Sequence, residues 1–592
     1  MLPDGSLVLG PLLRYVDDTS ASVWVETRAG ASVTVTRGAT TASARTFVVH
    51  GHHYALVELD GLAPGSTEAY TVEVDGEVVW PEPGSPFPAP VIATLEPGRP
   101  LSMAFGSCRT SVSHDEKGNR THGVDALRAW ALRLADHASP ADPDDTDLSP
   151  PRLPDLVLFL GDQVYADETT DEMRRFIESR RDIDQPPWTE LRDYEEYAHL
   201  YGLAWSDPGI RWLLSTVPSA MIFDDHDIRD DWNTSLAWRR QMEATSWWHG
   251  RIVAGLSSYW VYQHLGNLSP DERATDEVYA AVLAHEGHDE CDLGPFIDAF
   301  AERVDQQPET YRWSYTRDFD TQARLVVVDS RAARHLEPDA RAMLDPDEAS
   351  WLDSQLRGDV DHLFIGTSLP FLLARGLHHL EAFSEALAQG AWGEQGARFG
   401  EKVRQTVDLE HWGAFQHSFQ EVARQAMEVA AGERGTAPST VTFLSGDVHH
   451  SYVSEARPAR GGRAVTSTVL QAVCSPIRNP LSRHMRFATA VLSYGVAGPV
   501  GRLASRSAHV PRSPLDWHYA EGPWFDNNLA CLQLAGPSLR MWWMSGHVVD
   551  DHLHPRLTKV AVYELDEHGH PPARESRTRK VAETVRNAVR RR

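Results

Sequence analysis

The sequence predicts two unlike domains in series, an all-β sandwich followed by a larger α/β domain. Three observations carry this. Residues 1–97 alternate apolar and polar side chains in short runs, "SASVWVETR", "ASVTVTR", "HHYALVEL" and "AYTVEVDG", separated by turn residues, the pattern of half-buried antiparallel strands. After about residue 100 come strand-like segments, several apolar on both faces, that alternate with helical patterns, as in a sheet covered by helices on each side. Between the two lies "PEPGSPFPAPVIATLEPGRP" (Pro81 to Pro100), whose prolines and glycines predict an extended linker or edge strand.

The chain has 592 residues, too many for one core. The organisation expected is a sandwich over 1–97, an α/β domain over 98–565 and a basic tail over 566–592. In the first domain, "LDGLAPGSTEAYTVEV" (Leu59 to Val74) resembles the end of a fibronectin type III module, where a Leu-x-Pro-Gly turn leads into a strand carrying a tyrosine. In the second, the strands expected are "LSMAFGS", "PDLVLFLGD", "SAMIFDDHD", "ARLVVVDSR", "DHLFIGTSL", "TVTFLSGDV" and "AVTSTVLQAV". The run "ASPADPDDTDLSPPRLP" (Ala138 to Pro154) reads as an acidic, proline-broken surface loop. Ser269 and Glu272 have the spacing of a capping box at a helix start. The terminal "ESRTRKVAETVRNAVRRR" places Val581, Val585, Ala588 and Val589 on one stripe of a short amphipathic helix.

The formal charge is −28, which argues against general affinity for nucleic-acid backbones or anionic lipid surfaces. An anionic substrate would need local help from bound cations or placed arginines. The four cysteines, Cys108, Cys291, Cys474 and Cys531, show neither a disulfide framework nor a CxxC zinc pattern. With no basic, apolar or twin-arginine leader and no run of membrane-spanning length, a cytoplasmic protein is expected, of undetermined oligomeric state.

Four predicted strand ends finish in metal-type ligands: "GSCRT", "GDQVYAD", "DDHD" and "SGDVHH". Each has an ordinary structural reading: a buried thiol, a helix-capping aspartate, a solvated acidic turn, a pair of surface histidines. Together they fit better as one crevice, because ligands in open α/β sheets gather beyond the carboxyl ends of the strands.

In the order "GSCR", "GDQVYAD", "DDHD", "VVDSR", "GTSLP" and "SGDVHH", these motifs resemble the metallophosphatases of the calcineurin and purple acid phosphatase superfamily, and within it the alkaline phosphatase D (PhoD-like) branch. The resemblance covers about residues 100 to 550, and the N-terminal sandwich is similar to that of purple acid phosphatases. It implies a two-metal hydrolase of phosphate esters that attacks with a metal-bridged hydroxide. The first metal site would consist of Cys108, Asp162, Tyr165 and His449. Three anionic ligands and an imidazole suit Fe3+. The second would share Asp162 and add Asp225 and Asp447, an oxygen-rich set for Ca2+, Mg2+ or Mn2+. Where relatives carry a further histidine this chain has "GTSLP", with Thr367 or Ser368 at that place.

His226 would be the helper for the leaving oxygen. Arg109 is a candidate phosphate clamp, with a structural ion pair as the alternative. His450 is expected one layer behind the metals. Asp329 and Arg331 are expected to be structural, and Asn528 to line the pocket or make a turn. The substrate expected is a small phosphate ester, monoester first and with diesterase capacity. One alternative is a phosphodiesterase or phospholipase D-like activity on lipids or nucleotides. Another is a non-catalytic binding protein with a decayed phosphatase domain.

Overall fold

The computed structural model describes residues 6–135, 153–288, 291–338, 340–404, 409–481, 486, 497–566 and 568–570. Most of the acidic run 138–154 and of the basic tail 566–592 lies outside the described residues.

Nine strands form the N-terminal region: β1 (Leu7–Val16), β2 (Ala21–Thr27), β3 (Ser32–Arg37), β4 (Thr40–Arg45), β5 (Phe47–Val49), β6 (His52–Leu59), β7 (Thr67–Val74), β8 (Glu77–Trp80) and β9 (Val91–Ala93). They make two antiparallel sheets, β1-β2-β6-β5 and β4-β3-β7-β8, with β9 on the free stretch of β7. Val23, Val25 and Val57 of one sheet pack on Val33, Val35 and Val72 of the other, the aligned burial that alternation demands. The Pro/Gly-rich segment supplies β9, so it is both linker and edge strand.

The described residues of the rest of the chain contribute thirteen strands: β10 (Ser102–Gly106), β11 (Leu156–Leu160), β12 (Ser219–Ile222), β13 (Tyr315–Phe319), β14 (Ala323–Val328), β15 (His362–Thr367), β16 (Thr440–Ser445), β17 (Ser451–Pro458), β18 (Thr468–Val473), β19 (Leu515–Trp524), β20 (Leu529–Ala535), β21 (Ser538–His547) and β22 (Arg556–Glu564). They form two sheets, β12-β11-β10-β20-β21-β22 and β13-β14-β15-β16-β18-β17-β19. This is a layered β-sheet core flanked by helices, in which two sheets lie face to face and helices cover the outer face of each, rather than one sheet with helices on each side. Met103, Phe105, Leu158 and Leu160 of the first sheet meet Leu325, Val327, Phe364 and Leu444 of the second. The alternate residues turn outward to helices: Ala104, Val157 and Phe159 on one side, Val326, Val328, Ile365 and Phe443 on the other. Both faces of every central strand are therefore dry, whether a helix or a second sheet covers them. That is why these strands read as unbroken apolar runs.

The outer layer on the first sheet includes α1 (Tyr194–Trp205), α2 (Pro208–Thr216) and α3 (Trp248–Tyr259), the last running into a π-turn over Trp260–His264. The layer on the second includes α4 (Pro346–Gln355), α5 (Arg375–Ala388) and α6 (Gln416–Ala430). Asp193 and Asp207 accept from first-turn N–H groups of α1 and α2, supplying the partners those groups otherwise lack. Ser269 and Glu272 form the reciprocal capping box at the helix Pro270–Thr275.

The N-terminal sheets are bolted onto the α1–α3 layer. Buried Arg14 of β1 donates to the Tyr262 (2.8 Å) and Gln263 (2.6 Å) carbonyls of the π-turn and to Asn267 Oδ1 (3.3 Å). Tyr54, Tyr262 and Glu26 form a buried hydrogen-bonded set, and His52 joins Glu26 (2.8 Å) to Glu195 of α1 (2.9 Å). Tyr70, the tyrosine of the fibronectin-like stretch, donates to the Ser215 carbonyl of α2 at 2.6 Å.

Candidate metal centre

Strands β10, β11 and β12 lie side by side and parallel, so their following loops emerge together. β16 of the other sheet ends beside them: the Asp447 N–H donates to Ser107 Oγ at 3.1 Å. Two glycines make this crossing possible. A Cβ on Gly446 would lie 2.0 Å from Ser107 Oγ, and one on Gly161 2.5 Å from Asp224 Cβ. The residues just after the turns are held in the left-handed region: Cys108 (φ 57°), Asp162 (φ 51°), Asp447 (φ 64°) and His449 (φ 49°). For non-glycine residues this conformation costs about 1–3 kcal/mol each and concentrates at functional sites.

The turns after β10, β11 and β16 bring Cys108, Asp162, Tyr165 and His449 together. The Cys108 thiol and the Tyr165 hydroxyl both donate to Asp162 Oδ2, each at 3.3 Å. Ligand atoms of Cys108, Asp162 and His449 lie within 4.8 Å of one another, as do those of Asp162, Asp225 and His226, and of Asp224, Asp225 and Asp447. Asp162 and Asp225 each belong to two of these groups, which therefore form a continuous line. Cys108, Asp162, Tyr165, Asp224 and Asp225 are buried at its floor; His226, Asp447 and His449 are half-buried at its mouth.

Among the described residues, one oxygen of each floor aspartate lacks a hydrogen-bond donor. Asp162 Oδ2 has two donors, yet Asp162 Oδ1 has none. Asp224 Oδ1 accepts from Arg331 Nε, yet Asp224 Oδ2 has no partner. Asp225 Oδ2 accepts from the Asp231 N–H at 3.1 Å, yet Asp225 Oδ1 has only an unaligned ion-pair contact with Arg331 Nη2 at 3.1 Å. Buried acceptors without donors cost about 1–3 kcal/mol each, and more when charged. Cations bound at these groups would satisfy the unpaired oxygens.

Electrostatics agree. Burial first, then the neighbouring Asp224, Asp225 and Asp227 carboxylates, push Asp162 well above the usual carboxylate range. Burial also raises Asp224 and Asp225 against the opposing pull of Arg331, and raises the Cys108 thiol and Tyr165 phenol. A cation reverses each of these shifts. Burial pushes His449 down to about 4, leaving a neutral imidazole suited to ligation. Burial would lower His226 as well, but Asp167 and Asp225 outweigh it and hold it well above its ordinary value. His226 Nδ1 sits 2.9 Å from Asp167 Oδ1, and its ring lies 4.7 Å from that of Tyr165.

Comparison with known proteins comes down on the same side. A sequence profile described as PhoD-like phosphatase matches residues 149–490, more than half of the chain. The chain belongs to the PhoD-like phosphatase family. It is a phosphoric ester hydrolase, and the PhoD-like phosphatases are metal-dependent. A second profile, a domain of unknown function, DUF7800, matches residues 4–92. The solved structure described as "Structure of PhoD" superimposes with a TM-score of 0.57 at 12% identity, over 97% of this chain and 94% of that one. The likeness thus extends through the N-terminal β region. A maltogenic amylase from S. marinus and the type III pullulan hydrolase from Thermococcus kodakarensis, each 9% identical, reach TM-scores of only 0.15 and 0.13, covering 96% and 93% of this chain and 84% and 97% of their own. No curated protein matches.

Other candidate residues fall outside this PhoD-like centre. Arg109 is the main correction. Its guanidinium is buried, paired with Asp125 at 2.9 Å and donating to the Ala204 carbonyl at 2.6 Å, so the ion-pair alternative describes it and it has no fork to offer a phosphate. His450 turns away, with Nδ1 at 2.6 Å from the Val448 carbonyl and its ring stacked on Tyr452. Asp329 accepts from the N–H groups of Arg331, Ala332 and Ala333, a turn-forming role. Asn528 Oδ1 accepts from Ser451 Oγ at 2.8 Å and is buried. Ser368 shares a 2.8 Å hydrogen bond with Ser330. Arg331 lies closer to the chemistry than a purely structural reading implies, fully buried against Asp224, Asp225 and Glu410.

Several groups at the centre carried no role in the sequence reading. Asp224 and Asp167 stand inside quoted motifs, and only spacing relative to their neighbours could have singled them out. Asp227 Oδ2 accepts from the N–H groups of Asp162 and Asp224, both at 2.9 Å, and so fixes the two turns to each other. His411, Glu410 and Glu381 come from a segment with no motif at all.

Proposed function

We propose that the hydrolysis runs on a two-cation centre, with Cys108, Asp162, Tyr165 and His449 holding the first cation and Asp162, Asp225 and Asp447, with Asp224 beside them, holding the second. The observation that carries this reading is the set of buried oxygens without donors, Asp162 Oδ1, Asp224 Oδ2 and Asp225 Oδ1. When bound, the cations supply an activated water and neutralise charge on the phosphoryl oxygens. Thiolate, phenolate and carboxylate beside a neutral imidazole favour Fe3+ in the first position; the oxygen set favours Ca2+, Mg2+ or Mn2+ in the second.

The residues have distinct tasks. His226, kept protonated by Asp167, hands a proton to the leaving oxygen from the mouth of the site. Asp227 keeps the Asp162 and Asp224 turns in register. Arg331 holds two aspartates in one orientation by a fork that no other side chain provides. Charge on the buried floor draws in cations, and through them an anionic ester despite the acidic surface. The sandwich is read as a fibronectin III-like support. Among the described residues no helix is long and apolar enough to cross a membrane, and the four free cysteines support a reducing, cytoplasmic setting.

The test joins elemental analysis to a substrate panel. Wild-type protein should carry metal and hydrolyse an aryl phosphate monoester, with slower turnover of the diester. Asp162→Asn and His449→Ala should lose metal and activity while retaining the far-UV spectrum. Full activity in either variant would remove the reading, and a faster diester rate would move the substrate class to phosphodiesters.

A further inference from the structure

The second cation group is all oxygen, and the place after β15 where relatives carry a histidine holds Thr367 and Ser368. Both hydroxyls are engaged elsewhere: Ser368 Oγ with Ser330 Oγ, and Thr367 Oγ1 accepting from Trp412 Nε1 at 3.4 Å. Neither offers a strong donor. An imidazole nevertheless reaches this edge of the centre from another part of the chain. His411, just before the turn Trp412–Ala414, puts Nε2 2.9 Å from Asp447 Oδ2. Its other nitrogen, Nδ1, is 2.7 Å from Glu381 Oε1, on α5.

The two contacts differ in kind. Glu381 is fully buried, and its second oxygen has no partner among the described residues. The approach depends on a missing side chain, since a Cβ on Gly413 would lie 2.5 Å from Glu381 Oε2. With Nδ1 turned to a carboxylate so enclosed, Nε2 is the ring nitrogen that faces Asp447, and a cation bound there would take the place of the proton that Nε2 and Asp447 Oδ2 now share. Carboxylate, imidazole and metal in this sequence is the usual way a protein orients a ligating histidine. Two donors bound to one ion at about 2.0–2.2 Å in adjacent positions lie about 3 Å apart, the spacing seen between Nε2 and Asp447 Oδ2.

We propose that His411 is the nitrogen donor of the second cation site, oriented by Glu381, and replaces from a different loop the histidine absent after β15. The proposal rests on the two-cation reading above. The rival is a permanent ion pair in which His411 only bridges Glu381 and Asp447.

The experiment uses full-length protein carrying its first metal and titrates Mn2+ alone, read by calorimetry and by elemental analysis after desalting. Wild type should take up one Mn2+ per chain. His411→Gln should weaken that uptake by about 10- to 100-fold or abolish it, while the metal at Cys108 and its visible thiolate or tyrosinate absorption stay. Glu381→Gln, which keeps the imidazole but not the carboxylate, should weaken Mn2+ by about tenfold, and it serves if His411→Gln does not fold. Unchanged Mn2+ stoichiometry and affinity in both variants would overturn the proposal in favour of the ion pair. Wild-type protein that binds no metal at either position would instead overturn the two-cation reading, and this proposal with it.

Discussion

Arg109 is where sequence and structure disagree most usefully, and Arg109→Met separates the two roles. In the structure Arg109 and Asp125 are both almost wholly buried, 2% and 1% exposed, and joined at 2.9 Å. Burial alone would raise the Asp125 carboxyl; Arg109 first, then His114 and Arg478, hold it below its usual range. Removing Arg109 leaves that carboxylate short of its nearest cation and the Ala204 carbonyl without its donor. Breaking a buried pair costs about 3–5 kcal/mol, and the lower end applies here because Arg478 remains nearby. Unfolding in urea, followed by fluorescence, should show a loss of that size. Adding Asp125→Asn, which can still cap the helix Ala126–Leu134, should restore a large part of it, since the stranded charge is gone. A phosphate clamp predicts the reverse: stability intact, and kcat/KM down by about 10²-fold or more through loss of transition-state contacts. Unaltered urea midpoints together with that kinetic loss would refute the structural role assigned to Arg109.

Three further outcomes follow from the same structure. His226→Asn should slow hydrolysis of alkyl phosphates by about 10²–10⁴-fold but aryl phosphates much less, because a good leaving group needs no proton; equal losses on both would remove His226 from that role. Gly161→Ala places a Cβ 2.5 Å from Asp224 Cβ at a φ of +99°, so it should cost about 1–3 kcal/mol and lower metal content, both measurable on one preparation. His52 has its pKa raised to about 9: burial opposes the shift, and Glu195 and Glu26 override it. Its stabilising effect is therefore complete below about pH 6.5 and is lost as pH rises through about 9, at most about 3 kcal/mol. His52→Gln should flatten the fall in urea midpoint across that window, and an unchanged slope would show that the ion pair contributes nothing.

The legible part of the fold was the part that is dry on both faces. All seven strands expected in the α/β region, from "LSMAFGS" to "AVTSTVLQAV", are observed, and they are the parallel ones, β10 to β12, β14 to β16 and β18. The antiparallel strands β13, β17 and β19 to β22 were not picked out; polar residues interrupt the apolar pattern in several of them, exposed in the "LDWHYAEGPW" of β19 and buried in the "SYVSEA" of β17. The presence of two sheets was illegible for a related reason: an apolar face looks the same whether a helix or another strand covers it. At the site, Cys108, Asp162, Tyr165 and His449 were singled out by the resemblance of their motifs to a metallophosphatase family, and each lies within a few residues of the end of a buried strand. His411 and Glu381 were not, since their position depends on how α5 and the turn Trp412–Ala414 fold back over β16, which no local pattern encodes.

The π-turn over Trp260–His264 has a bearing on how the molecule can be dissected. Its Gln263 side chain donates to Asp227 Oδ1 at 3.2 Å, and Asp227 in turn clamps the Asp162 and Asp224 turns; the turn's own carbonyls are held by Arg14, from the opening strand of the chain. An unbroken relay of buried hydrogen bonds thus links residue 14 to Asp162, the carboxylate proposed to bridge the two cations. Trimming away the first hundred residues to obtain a minimal hydrolase would strip the scaffold from its keystone, and the fragment should come out of purification poor in metal even where its catalytic motifs are intact.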